Sequence, residues 1–393
     1  MMPAKPTPVM MLLDNPFRSD NRVAKEAQAL LDAGYAVTVV AERDDELPAE
    51  EQRDGITIIR LFEPLLKQPG RAGYARYLNH VADQLAGMPM AVLHCHDYFT
   101  LPVGARIRQR QPNLPLVYDA HEFIHGLPFY KLLAGWSNRL KGYMVWRKLI
   151  RQERQHVHAA NLVIVPSPYL SEALQRHLRL PAPPLVIRNI PALAAPENEA
   201  PTTALHDHFN LPPGERFIVH SGKINLPDDD LDAFFDAVAN MPQLKMVFLG
   251  NYARYFSLKE KISRDERLRD QILFHPYGRQ ADNIRVMASA TLGLSYNHLD
   301  WSSHRYSFPN RIVEYFYAGL PVLGTATDFC REMASDHGIV TLYRSHDAAS
   351  IHSALEKALA NASEARITVS QIRHNFAWPN ERERLLDAYR KLT

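Results

Sequence analysis

The chain has 393 residues, enough for two domains of ordinary size. Its 46% hydrophobic and 22% charged residues describe a globular protein with a packed core. A net charge of +2 gives no overall pull toward nucleic acid, and none is expected as a partner. Two well-separated cysteines, Cys95 and Cys330, argue against a disulfide scaffold, and no apolar run of about 18 residues occurs, so a cytoplasmic protein without a membrane span is expected.

Strand and helix patterns alternate from the start. VMMLLD (9–14) is a short apolar run of buried-strand type. RVAKEAQALLDAG (22–34) places Val23, Ala27, Leu30 and Leu31 at helical spacing and ends on Gly34. YAVTVVA (35–41) is continuous and β-branched, as in a parallel strand covered on both faces. ITIIRLF (56–62), MAVLHCH (90–96), LPLVYDAH (114–121), LVIVPS (162–167) and LVIRNI (185–190) read as strands. Segments 71–87 and 101–111 read as helices, and a long helix is expected from about 130 to 160. The stretch 192–215, rich in Pro and Ala, reads as an interdomain connection. The pattern then restarts with strands at 216–224, 245–250, 272–278, 291–297, 320–325 and 339–343, and helices at 229–241, 282–290, 308–319 and 348–360. Repeated strand–helix–strand order implies parallel sheets with right-handed crossovers, so two doubly wound α/β halves in tandem are expected.

In such sheets ligands bind outside the carboxyl ends of the strands. The turns at 14–20, 94–98, 119–125, 220–223, 276–279 and 296–310 therefore carry the candidate chemistry, and they are rich in His, Asp, Asn, Arg and Gly. Asp228, Asp229 and Asp230 read as the acidic first turn of a helix rather than a metal triplet. His94 and His96 alternate on a strand and so share a face. With no second Cys/His cluster at zinc spacing, no metal site is expected there.

Several of these segments resemble one family in the right order. SDNRVAKEAQALLDAGYAVTVVA (19–41), HCHD (94–97), YDAHE (118–122), SFPNRIVEYFYAGLPVLGT (307–325) and FAWPNERERLLDAYRKL (376–392) are similar to segments of the retaining family 4 glycosyltransferases, in the subgroup with S-x-P-N-K/R-x-x-E-Y. The resemblance implies a GT-B fold, two Rossmann-like domains facing across a cleft. Residues 1–195 form the acceptor side and 196–375 the nucleotide-sugar side, and a final helix, 376–393, returns to the first domain. It implies no metal and no cofactor, with a nucleotide-sugar donor of the UDP or GDP type as substrate.

The resemblance also assigns roles. Glu314 corresponds to a carboxylate that accepts hydrogen bonds from the ribose hydroxyls, and a carboxylate is the natural acceptor for a vicinal diol. Ser307, Phe308, Pro309, Asn310 and Arg311 open the same helix, whose free amides form an anion site for the diphosphate. Gly222 and Lys223 follow the first strand of the second half, where the family places a phosphate-binding cation. The family's second cation falls in the acidic stretch 227–230, which leaves Arg305, Arg311 and Arg279 as alternatives. Tyr306 stands where many members carry a second glutamate, which touches the donor sugar. His121 corresponds to a catalytic histidine facing that sugar. Asp20, Arg22 and Asp97 are expected on the acceptor side, with Arg22 suited either to a phosphate-bearing acceptor or to a salt bridge. The expected activity is retaining transfer of a hexosyl-type sugar to a hydroxyl of a saccharide or lipid-linked saccharide, in bacterial surface polysaccharide or glycolipid synthesis. The alternatives are a nucleotide-sugar epimerase on the same fold and a non-catalytic partner subunit. Residues 131–154, with seven basic residues among Trp, Tyr, Leu and Met against Glu153, are expected to dock on an anionic membrane, making the protein peripheral on the inner face.

Overall fold

The computed structural model describes residues 6–63, 70–128, 139–193 and 202–393. They fall into two compact units, one made of Met1–Asn189 and Pro379–Thr393, the other of Ile190–Trp378.

The first unit runs β1 (Pro8–Leu12), α1 (Asn21–Asp32), β2 (Ala36–Glu42), β3 (Glu50–Arg53), β4 (Ile56–Phe62), α2 (Gly70–Ala86), β5 (Val92–His96), α3 (Asp97–Arg110), β6 (Leu116–Asp119), α4 (Arg139–His156), β7 (Leu162–Val165), α5 (Pro168–Leu178) and β8 (Leu185–Val186). Its sheet has the order β3-β4-β2-β1-β5-β6-β7-β8. Every pairing is parallel except β3 with β4. The central strands are apolar along their whole length because helices cover both faces. β3, with the sequence EEQR, lacks any apolar alternation. It is an edge strand held by its hairpin partner, which is why periodicity does not reveal it.

The second unit runs α6 (Ala204–Phe209), β9 (Arg216–Ser221), α7 (Asp228–Ala239), β10 (Leu244–Gly250), α8 (Ala253–Ser263), β11 (Ile272–Pro276), α9 (Gln280–Met287), β12 (Leu292–Ser295), α10 (Ser302–Arg305), α11 (Asn310–Tyr317), β13 (Val322–Thr325), α12 (Asp328–His337), β14 (Val340–Tyr343), α13 (Ala348–Ala360) and α14 (Ala362–Ile372). Its sheet is entirely parallel, in the order β11-β10-β9-β12-β13-β14. The last helix, α15 (Trp378–Arg390), belongs mostly to the first unit. There Glu381 is fully buried and takes the Arg188 guanidinium (2.6 and 2.8 Å) and backbone amide (2.8 Å).

Two expectations change. The stretch 192–215 is not a plain connection, since α6 lies within it. Of the long helix expected at 130–160, α4 and a short 3-10 turn after it are described, while 129–138 lies outside the described residues.

In both sheets the strand order reverses once, between β1 and β5 in the first and between β9 and β12 in the second. The carboxyl ends of those strand pairs are where an open α/β sheet takes its ligand.

Candidate functional site

In the second unit the chain leaving β9 turns at Gly222, whose φ of +84° is in the left-handed region that favours glycine. The turn is held by side chains acting on its carbonyls. Arg311 donates from Nη2 to Lys223 O at 3.0 Å, and Arg254 donates to Leu226 O at 2.5 Å. Asn225 donates to Tyr296 O at 3.2 Å. With its carbonyls directed to these arginines, the loop presents the exposed Lys223 ammonium and the Arg311 guanidinium together.

Helix α11 lies over this turn. Its Tyr315 is wholly buried, and the hydroxyl donates toward Leu294 O (2.9 Å) and Val219 O (3.1 Å) while accepting from Ser221 N (3.0 Å). That one side chain ties α11 to the ends of β9 and β12. Gly293 on β12 makes room for it, since a Cβ there would run into the ring. Glu314, the preceding residue, is half-buried and accepts from Gln280 Nε2 at 2.7 Å. Gln280 opens α9, and the loop before it is pinned by Asn283, which both accepts from Gly278 N (2.8 Å) and donates to Gly278 O (2.9 Å).

The segment before α11 is anchored from within. Phe308 is buried against Phe329, with ring centroids 5.3 Å apart, and Ser307 Oγ donates to His304 O at 2.8 Å. Pro309 occupies the cap position without a side-chain cap, so the first-turn amides of Asn310 and Arg311 are those a helix start leaves for a ligand. Among the three alternative cations, Arg305 pairs with Asp328 at 2.9 Å and Arg279 sits 93% exposed beside Asp282. Only Arg311 reaches the Gly222 turn. The acids at 228–230 open α7, and each has a partner: Arg254 for Asp228, His346 for Asp229, Ser345 and the His346 amide for Asp230.

The first unit builds a different centre at the ends of β1, β5 and β6. Arg22, 6% exposed, spends its guanidinium on Asp119 (Nε at 2.8 Å, Nη2 at 2.9 Å), on Ile187 O (2.9 Å) and on Glu26 (3.2 Å). It forms the buried salt bridge to Asp119, and three of its N–H groups are spent on Asp119 and Ile187 O. Asp20 caps α1 by accepting from Val23 N at 3.1 Å. His121 lies between two carboxylates, Nδ1 at 3.2 Å from Asp97 and Nε2 at 3.2 Å from Asp119, with His96 Nδ1 also 3.2 Å from Nε2. Burial opposes its protonation, but Asp97 and Asp119 hold the imidazole well above its usual range. His121 thus offers a positive charge, both of its nitrogens being turned to carboxylates. Asp97, at φ +62°, uses its other oxygen on the His121 amide at 3.2 Å. Asp14 follows β1 nearby, its carboxyl pushed up to about 7 by burial and by Asp97 and Glu42.

The motifs at 94–97 and 118–122 signalled this centre. Glu26 here and Gln280 in the second unit carry no motif signal of their own: Glu26 is fully buried, and Gln280 is tied to Glu314, 34 residues away.

Two family descriptions match in tandem: Glycosyltransferase Family 4 over residues 20–190 and Glycosyl transferases group 1 over residues 202–375. The chain is a family 4-like glycosyltransferase of the GT-B type. Among solved structures, sucrose-phosphate synthase from Thermosynechococcus elongatus is 19% identical, with 98% of this chain and 99% of that one covered at a TM-score of 0.74. The α,α-trehalose 6-phosphate synthase of Burkholderia multivorans is 13% identical over 98% and 97%, TM-score 0.68. Anabaena HepE, solved with UDP-glucose, is 15% identical over 98% and 99%, TM-score 0.66. At these identities the likeness establishes the fold of this glycosyltransferase. No curated protein matches the chain.

Proposed function

We propose that this glycosyltransferase takes a nucleotide sugar of the UDP or GDP type and transfers a hexosyl-type group, with retention, to a hydroxyl of a saccharide or lipid-linked saccharide in bacterial surface polysaccharide or glycolipid synthesis. The observation that carries the reading is the convergence at the second unit's switch point. Lys223, Arg311 and the opening of α11 suit a diphosphate, and Glu314, braced by Gln280, suits a ribose diol one helical turn further on. HepE with UDP-glucose supports the donor class. Two cations and a helix start meet the charge of the departing diphosphate, so turnover is expected without added Mg2+ or Mn2+. His121, the catalytic group that the family resemblance assigns, contributes the positive charge that Asp97 and Asp119 maintain. Retention follows from the same resemblance: the acceptor oxygen attacks the face the diphosphate leaves, and Asp97, committed to His121, is not available as a nucleophile.

Calorimetry with UDP, GDP and ADP, followed by turnover with and without acceptor, tests this. Binding of one nucleotide, with donor consumed only when acceptor is present, is the expected result. Acceptor-independent conversion of the donor would instead identify an epimerase, and absence of nucleotide binding a non-catalytic subunit.

A separate observation supports docking on an anionic membrane at the cytoplasmic face. Of the seven exposed large hydrophobic side chains among the described residues, Leu140, Tyr143 and Met144 fall together at the start of α4. The exposed basic residues of the next turns are Arg147, Arg151 and Arg154, while Glu153, the acid of this helix, is buried. An apolar tip followed by a basic stripe matches a lipid surface carrying negative charge. The described residues include no helix long and apolar enough to cross a membrane. Residues 131–138 of the stretch lie outside the described ones. Co-sedimentation with vesicles should require anionic lipid and low salt, and should weaken when Arg147, Arg151 and Arg154 become Gln. Equal binding to neutral vesicles, or none at low salt, would count against it.

A further inference from the structure

Behind His121 the first unit contains a buried polar cluster, of which the reading above uses only Asp119. His94 and His96, two residues apart on β5, stack with ring centroids 4.1 Å apart and planes 26° apart. Their Nε2 atoms are buried and without a hydrogen-bond partner. The other nitrogen of each ring is engaged: the Tyr389 hydroxyl lies 2.8 Å from His94 Nδ1, and Asp119 Oδ2 lies 3.5 Å from His96 Nδ1. Glu26 enters from α1, wholly buried, with neither oxygen hydrogen-bonded. Its one charged neighbour at contact distance is Arg22, at 3.2 Å. Donor atoms of Glu26, His94, His96 and Asp119 all lie within 4.8 Å of one another.

Buried polar atoms are almost always satisfied, and each one left alone costs about 1–3 kcal/mol. Four such atoms, two imidazole lone-pair positions and both oxygens of one carboxylate, converge here. Imidazole nitrogens backed on their far side by a hydroxyl or a carboxylate are the ordinary outer shell of a metal-binding histidine.

We propose that His94 Nε2, His96 Nε2 and the Glu26 carboxylate bind one divalent d-block cation of the Zn2+ class inside the first unit, with Asp119, both of whose oxygens take the Arg22 guanidinium, backing the His96 ring. Bonds of about 2.0–2.1 Å to a tetrahedral ion set donors roughly 3.3 Å apart, so the cage contracts modestly on loading. The ion staples α1 to β5 and, through Asp119 and Tyr389, ties in β6 and α15. Its role is structural, and the inference does not rest on the donor reading above.

The test uses the full-length protein without a polyhistidine tag, purified without chelator. Elemental analysis should find about one Zn2+ per chain, and stripping it with dipicolinate should lower Tm. Loading the stripped protein with Co2+ alone should produce visible ligand-field bands. Tyr389→Phe should weaken Zn2+ binding about 10- to 100-fold while leaving the ligands in place, and the isosteric Glu26→Gln should abolish it. If neither Zn2+ nor Co2+ shifts the Tm of the wild type or produces bands, the proposal is overturned, and a proton shared between Glu26 and an imidazole closes the cage instead. Unweakened metal binding in Glu26→Gln or Tyr389→Phe would place the ion elsewhere and overturn it equally.

Discussion

The two switch points use charge in opposite ways. In the second unit Lys223 is exposed, Arg311 rests on a backbone carbonyl, and Glu314 is braced by a neutral amide, so the net charges face outward. In the first unit Arg22, Asp119, His121 and Asp97 form a chain in which each charge is met by its neighbour, behind an opening where His121 and Asp97 side chains are only 19% exposed. One centre is built to gain a partner. The other is built to hold a field in place, and it takes part in the stability of its own unit. Substitutions should therefore cost binding in one unit and folding in the other.

Arg22→Ala should have the largest effect. Removing it leaves Asp119 buried without its guanidinium, and breaking a buried pair in this way costs about 3–5 kcal/mol. Denaturant unfolding measures the loss. A variant as stable as the wild type would show that the chain of charges is not structural.

Glu314→Ala should do the converse. Nucleotide affinity should fall by about 1.5–3 kcal/mol, roughly 10- to 150-fold, with little change in unfolding midpoint, because hydrogen bonds to a charged group are of that size. Calorimetry against UDP and GDP checks it, and unchanged affinity in a folded variant removes Glu314 from the site.

Gln280→Ala sharpens the same point. Its hydrogen bond fixes the Glu314 carboxylate, so a loss of about 0.5–1.5 kcal/mol in nucleotide binding is expected. In a Glu314→Ala background the same substitution should cost nothing. An additive loss in the double variant means that Gln280 meets the nucleotide itself.

A further effect lies at Asp14 and depends on pH. Burial, then Asp97 and Glu42, pushes its carboxyl up from 3.8 to about 7. The fold therefore favours the neutral acid. That contribution is fully present below the ordinary carboxyl pKa and is lost as pH rises through about 7. Asp14→Asn should show a Tm advantage over the wild type that grows from pH 4 to pH 8. A Tm difference flat across that range would mean the carboxyl titrates normally.

Much of this was legible in the chain. The β-branched runs, the Gly and Pro at element ends and the alternation of two periodicities point to tandem parallel sheets, because burial on both faces imposes that composition directly. Gly222 and Lys223 stand out because they follow a strand end, and Glu314 through the family resemblance. Periodicity leaves out β3, polar throughout, and α6, in Pro-rich sequence, and also the helices α5, α8, α12 and α14. That Arg311, and not Arg305 or Arg279, reaches the Gly222 turn was not legible. All three have the same side chain, and only the packing of α11 over the Gly222 turn separates them.

What the sequence determined by itself is the fold class, the family and the strand ends where chemistry belongs, since these follow from local composition and order. What the tertiary structure alone decided is which charges are spent. Arg22 and Asp119 are 97 residues apart, and Tyr389 and His94 are 295 apart. Whether a side chain faces a ligand or a buried partner depends on what the fold places against it, and Coulombic and hydrogen-bond energies fall off within a few ångströms regardless of distance along the chain.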